Sequence, residues 1–163
     1  MNPPPDRPGT PVHVAYVDVL VLRGAGEDLE VLCLRRGAQG RSPGSWEAVH
    51  GHIDPGETPV ETALREVVEE SGLEPIRLYS LSRVEAFYRH SVHEMVLIPA
   101  FAAFVGPGVP VSLSKEHDAH DWLRPEAAKA RMAWPRLRRE ITDAVRLLGK
   151  GNAGLLEDVL RVR

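Results

Sequence analysis

Apolar residues recur along this chain with two periods, and the changes of period divide it into elements. Val and Leu dominate residues 13–23, which predicts a strand; turn residues follow over 24–28, and residues 30–35 predict a second strand that closes a hairpin. A Gly/Ser/Pro loop over 37–45 leads to a short extended piece at 46–49 and a further loop over 51–57. The period then becomes helical. Val60, Ala63, Leu64, Val67 and Val68 repeat at i, i+3, i+4, i+7 and i+8, the pattern of one buried helix face. Thr58 is placed to cap this helix, Pro59 to take its first position, Glu61 to complete a capping box, and Gly72 to stop it.

Beyond the helix, residues 76–88 and 94–105 predict two extended segments, with a break over 107–110 and another strand over 116–123. Residues 125–132 predict a short helix. A longer one starts near Pro135 and carries Leu137, Ile141, Val145 and Leu148 on one face. Residues 151–163 form a tail that either adds a helical turn or two or frays, and the Pro-rich residues 1–11 form a flexible arm, leaving a domain over 12–150. Strands and helices mix without a regular βαβ alternation, so the expected class is α/β, a mixed sheet covered by helices.

Composition narrows the picture. With 163 residues, 43% of them hydrophobic, the chain builds one globular core. A formal charge of -3 argues against a nucleic-acid partner. No stretch has the length and apolarity of a membrane span, and residues 1–11 lack the apolar core of a signal peptide, so a cytoplasmic protein without a membrane partner is expected. Cys33 is the sole cysteine; it lies in the apolar run Val31-Leu32-Cys33-Leu34 and is expected to be a buried structural thiol.

The chemistry gathers in residues 51–73. Gly51 is followed after five residues by Glu57; seven more lead to Arg65-Glu66, then Val67, one residue, Glu69-Glu70, one residue, and Gly72-Leu73. At about 100° per residue Glu66, Glu69 and Glu70 share a helix face, away from the apolar stripe. Like charges at this spacing repel by a few tenths of a kcal/mol per pair. A hard divalent cation is a reason to gather them; a solvated acidic face is the plain alternative.

That spacing matches the Nudix box at every specified position, a coincidence on the order of one in ten million by chance. The chain therefore resembles the Nudix hydrolases. The resemblance implies an α/β/α sandwich with a mixed sheet and a loop-helix-loop catalytic box, over roughly residues 12–148. It implies a Mg²⁺- or Mn²⁺-dependent enzyme that cleaves the phosphoanhydride of a nucleoside di- or triphosphate derivative. Glu66, Glu69 and Glu70 would hold the metal, with a backbone carbonyl at His50 or Gly51 and a later acid, Glu116. Glu57 and Arg65 would orient the helix carboxylates, and Glu66 or Glu116 would take the proton of the attacking water. Arg35, Arg36, Tyr88 and His52 are the expected substrate contacts, with Arg41, Phe87, Arg89, His50, His90 and His93 nearby. The run 46–51, Phe101, the Glu116-His117 pair with Trp122-Leu123, and Trp134 resemble a branch of dATP pyrophosphohydrolases and dihydroneopterin triphosphate pyrophosphatases; His50 and His52 depart from common family choices.

Other readings predict different residues. A non-catalytic nucleotide-binding or sensor module on this fold would be expected to lose box acids, and all are present. An isomerase of diphosphates would need a reactive cysteine in the cleft, where Cys33 is not expected. A decapping role would want a basic groove or an extra domain. A homodimer is compatible with the sequence but nothing demands one.

Overall fold

The computed structural model describes residues 9–163; the expected arm over 1–11 therefore lies mostly outside the described residues. Among the described residues eight strands form one sheet: β1 (Val12–Val14), β2 (Tyr16–Arg23), β3 (Glu30–Arg36), β4 (Trp46–Glu47), β5 (Val49–His52), β6 (Arg77–Arg89), β7 (Glu94–Phe104) and β8 (His117–Leu123). Four α-helices accompany it among the described residues: α1 (Pro59–Ser71), α2 (Pro125–Arg131), α3 (Pro135–Leu148) and α4 (Glu157–Leu160). The sheet is mixed, because β1 and β2 run parallel to β7 while β6 pairs with it antiparallel.

The single strand expected over 13–23 is two. The five residues from Val14 to Asp18 face only four of β7, Leu97 to Ala100, so one residue is surplus and the chain breaks at Ala15. The hairpin of β2 and β3 is short, two pairs at Leu22 with Val31 and Arg23 with Glu30, because β5 takes the same edge of β2 from Tyr16 to Val19. β5 also extends the chain through His52, where a loop from residue 51 was expected.

Side-chain alternation along the strands builds two cores, one on each face. Val17, Val19 and Val21 of β2, with Leu32 and Leu34 of β3, pack against Ala63 and Val67 of α1. Leu20 and Leu22, with Val31 and Cys33, face Ala128, Leu137, Ile141 and Leu148 of α2 and α3. The result is the α/β/α sandwich. On α3, Val145 is 40% exposed instead of buried, and Ala144 and Glu140 complete the inner face. The tail is part helical and part strand-like: after α4, Val162 N–H donates to the Leu78 carbonyl at 2.9 Å and Arg161 bridges Tyr79.

Candidate active site

Helix α1 is fixed at both ends by its own sequence. Thr58 Oγ1 accepts the Glu61 backbone N–H at 3.3 Å, and the Glu61 carboxylate accepts the Thr58 N–H at 2.8 Å. Gly72 ends the helix at φ 68°, a left-handed conformation that costs glycine little. With both ends set, rotation about the axis is set too. The inner face consists of Thr62, Ala63, Val67, Glu70 and Ser71. This corrects the expected face in two places: Val68 is half-exposed, and Glu70, three residues after Val67, turns inward with it. Glu66 is half-buried and Glu69 points outward, so the three box glutamates sit at three depths.

Glu66 lies against the backbone of β5. A Cβ on Gly51 would sit 2.0 Å from Glu66 Cγ, so only glycine fits at the start of the box. Arg65 binds three acids at once: Glu57 through Nε at 2.7 Å and Nη2 at 2.8 Å, Glu66 at 2.8 Å and Glu69 at 3.1 Å, while Nη2 also donates to the His52 carbonyl. The hydrogen bonds from Arg65 and then Thr62 pull Glu57 down to about 2. Glu57 and Arg65 thus form a bidentate pair that also reaches Glu66 and Glu69.

Glu70 has a different environment. Its carboxyl is buried, Oε1 receives only the His50 N–H at 3.4 Å, and Oε2 has no hydrogen-bond partner. Burial, followed by the charges of Glu66, Glu47 and Glu116, pushes it well above the ordinary carboxylate range. Burial also raises Glu66, against the pull of Arg65. Glu116 lies in the turn just before β8, one residue outside the strand expected to include it, and its carboxylate accepts from Arg36 Nη1 at 2.9 Å. Among the described residues no three acid, His or Cys side chains already converge as tightly as one bound ion would require. Glu66 and Glu69 turn instead toward Arg65, and Glu116 toward Arg36.

Two residues of this cluster were not anticipated. Glu47 of β4 accepts from Arg36 and pairs with His117, which is fully buried. The β3–β8 register shifts between Arg35 and Arg36, a bulge that drops Asp118 from the pairing, aims it at Arg35, and sends His117 inward. His117 Nδ1 then faces Glu70 Oε2 at 3.9 Å, and both atoms are buried without a hydrogen bond.

Next to the cluster a cavity of about 570 Å³ opens between the sheet and the start of α3. Tyr16, Phe87, Ile98 and Trp134 supply apolar walls, and Arg36, Arg41, Arg89, Arg136 and Arg139 supply guanidinium groups. Of the expected substrate contacts, Arg36 lines it. Arg35 instead pairs with Asp118, Tyr88 bonds His93 at its exposed hydroxyl, and His52 sits edge-on to Tyr16, one ring away from the cavity wall. Beneath the cavity Asp18 is fully buried and accepts from His50 Nδ1 at 2.6 Å and from Arg136 Nε at 2.6 Å. Hydrogen bonds from His50 and Arg136 overcome burial and hold Asp18 down at about 2, whereas burial and Asp18 together push the neighbouring Glu140 up.

The NUDIX domain family matches this chain over residues 12–145, and the chain belongs to that family. Among characterised proteins it is 30% identical to an octanoyltransferase of Myxococcus xanthus over 146 residues, 85% of this chain but 39% of that protein. It is 40% identical over 80 residues to the asymmetrical bis(5'-nucleosyl)-tetraphosphatase of Rattus norvegicus, covering 48% of this chain and 54% of that one. The chain spans about half the length, or less, of these relatives. The structure of the E. coli dihydroneopterin triphosphate pyrophosphohydrolase superposes with a TM-score of 0.62 at 27% identity, covering 80% of this chain and 94% of the other.

Proposed function

We propose that this protein is a Mg²⁺-dependent Nudix hydrolase that cleaves the phosphoanhydride of a nucleoside di- or triphosphate derivative. The observation that carries the proposal is Glu70: a buried carboxylate oxygen without a partner, surrounded by Glu66, Glu47 and Glu116. Uncompensated buried carboxylates are costly unless a cation joins them. The donor set is oxygen only and suits a hard divalent ion. Glu66 and Glu70 would hold it, with Glu69, Glu116 and a backbone carbonyl at His50 or Gly51 within the same group. When bound, Mg²⁺ or Mn²⁺ supplies charge neutralisation at the transferring phosphoryl group and a lowered pKa for the attacking water.

The chain's own residues do the rest. Arg65 fixes Glu66 and Glu69 against Glu57. Glu66 or Glu116 takes the proton of the attacking water, and the variants Glu66→Gln and Glu116→Gln separate the two. Arg36, Arg41 and Arg89 line the cavity as phosphate contacts, and Phe87 and Trp134 offer faces for an aromatic ring. The resemblance points to a (d)NTP-like nucleotide or dihydroneopterin triphosphate as substrate, which a lining of guanidinium groups and aromatic faces suits; the tetraphosphatase relatives add dinucleoside polyphosphates. The reading includes a cytoplasmic location. No helix among the described residues is long and apolar enough to cross a membrane.

An isomerase is disfavoured by Cys33. It is fully buried on the α3 side of the sheet, and burial raises its thiol to about 12. A non-catalytic sensor is the remaining alternative. The test is a panel of dNTPs, NTPs, ADP-ribose, diadenosine tetraphosphate and dihydroneopterin triphosphate with Mg²⁺, scoring pyrophosphate against phosphate release. Turnover that stops with chelator supports the proposal; binding without turnover on every compound would favour the sensor.

A further inference from the structure

Five guanidinium groups line the cavity, and four of them are already matched by an acid. Arg36 Nη1 meets Glu116 at 2.9 Å and Glu47 at 3.2 Å, and Arg89 Nη2 meets Glu94 at 2.8 Å. Arg136 Nε meets Asp18 at 2.6 Å, and Arg139 Nη2 meets Glu85 at 2.7 Å. Arg41 is the fifth. Its side chain is exposed at the cavity, and among the described residues its guanidinium makes no ion pair and no hydrogen bond; only its carbonyl is engaged. A guanidinium beside its own carboxylate adds little to the field that an anion feels, whereas an unmatched one adds its whole charge. The uncompensated positive charge of the cavity therefore sits at Arg41.

The loop that carries it, residues 37–45, is folded back on Arg36. The Arg36 N–H donates to the Ser45 carbonyl at 2.9 Å, the Arg36 carbonyl accepts the Gly44 N–H at 2.9 Å, and Arg36 Nε donates to the Arg41 carbonyl at 3.3 Å. Ser42 and Gly44, at φ 52° and 79°, reverse the chain just after Arg41. The Arg36 guanidinium packs on Gly40, where a Cβ would lie 2.9 Å from Nη2. Because the same guanidinium reaches Glu47 and Glu116, the backbone of Arg41 stands one side chain away from the carboxylate cluster. The opposite end of the cavity lies across the sheet. β7 carries β6 on one side and β2, then β3 and β4, on the other, so Phe87 on β6 is far from the loop that joins β3 to β4.

We propose that Arg41 is a specificity-determining residue that binds the phosphoryl group farthest from the ring of the substrate, so that the cavity selects a triphosphate over the matching diphosphate, with Arg36 as the positioning residue. This rests on the proposed function in taking the cavity as the site of a nucleotide-like substrate. The ring lies toward Phe87, the phosphates run toward the carboxylate cluster, and the last of them meets the Arg41 fork, whose planar donors suit two phosphate oxygens at once. A diphosphate held in the same register stops short of Arg41 and leaves its charge unanswered.

The test reads binding and turnover separately, with Mg²⁺ in excess. Calorimetry uses methylene-bridged analogues of ATP and ADP, and of GTP and GDP, in which no P–O–P linkage remains; kcat/KM is measured on the natural nucleotides. The wild type should prefer the triphosphate by about 10- to 100-fold. Arg41→Ala should weaken the triphosphate alone and bring the ratio toward unity, and Arg41→Lys, which keeps the charge without the fork, should recover part of it. Gly40→Ala, whose Cβ meets only the end of the Arg36 side chain, should lower the ratio with no charge removed. Phe87→Ala should weaken both nucleotides alike and leave the ratio in place. A wild type that binds neither analogue, or both equally, would overturn the inference, as would a ratio unchanged by Arg41→Ala. A ratio unchanged in Gly40→Ala would overturn the role of Arg36, and one that collapses in Phe87→Ala would overturn the orientation. An Arg41-dependent preference in binding, with no turnover of any nucleotide, would uphold the inference and count against the proposed function instead.

Discussion

Two buried carboxylates, Asp18 on the α3 side of the sheet and Glu70 on the α1 side, solve the same problem differently. Both side chains lie almost entirely out of solvent, and His50 touches both, with its ring on Asp18 and its backbone N–H on Glu70. Asp18 receives a guanidinium and an imidazole, which hold it ionised at about 2. Glu70 receives one long hydrogen bond and has three further glutamates nearby, which push it up. The chain compensates Asp18 from within. At Glu70 it does not, and the proposed function assigns that compensation to a cation from outside.

Perturbing the two places, the acid itself at Glu70 and the partner arginine at Asp18, should therefore have opposite consequences. Glu70→Gln should lower Mg²⁺-dependent turnover by about 10³-fold while leaving the midpoint of urea unfolding unchanged or higher, since a costly buried charge is gone. A normal rate, or a collapse in stability, would erase the contrast with Asp18. Arg136→Ala should do the reverse. It strips Asp18 of its guanidinium and should cost about 3–5 kcal/mol of stability, measured by chemical denaturation. It carries a pH signature as well. The lowered folded-state pKa of Asp18 gives stability that is present above the ordinary value of 3.8 and lost as pH falls through about 2; the variant should lose stability at higher pH than the wild type. Arg65→Lys is the smaller test. A point charge cannot hold Glu57, Glu66 and Glu69 in one plane, and turnover should fall by about 10–100-fold with little change in unfolding midpoint.

The box side of this comparison was legible in the sequence and the Asp18 side was not. Thr58, Pro59, Glu61 and Gly72 fix a helix by local chemistry, so its span and its acids follow from spacing alone. The depth of each acid does not follow. Helical periodicity placed Val68 inside and Glu70 outside, and packing of Ala63 and Val67 on β2 and β5 turned the helix enough to exchange them. Asp18 left a signal that could have been read: an acid within Val17-Asp18-Val19-Leu20 sits in a run that otherwise buries every residue. Glu140 left one too, in step with Leu137, Ile141 and Ala144 on the inner face of α3. Their partners were beyond reach, because Arg136 meets Asp18 across 118 residues and His117 turns inward only through a bulge. Long-range pairing and register shifts depend on how elements stack, which no local pattern encodes. The substrate contacts suffered most, since strand alternation could not say that Phe87 and Arg89, not Tyr88 between them, line the cavity.

The most direct measurement is a Mn²⁺ titration followed by electron paramagnetic resonance, on the wild type and on Glu70→Gln, with no substrate present. The wild type should bind at least one ion, and Glu70→Gln should bind it more than tenfold more weakly. A wild type that leaves the free Mn²⁺ signal undiminished, or a variant that binds equally well, would contradict the claim that the carboxylates around Glu70 form the metal site of a hydrolase.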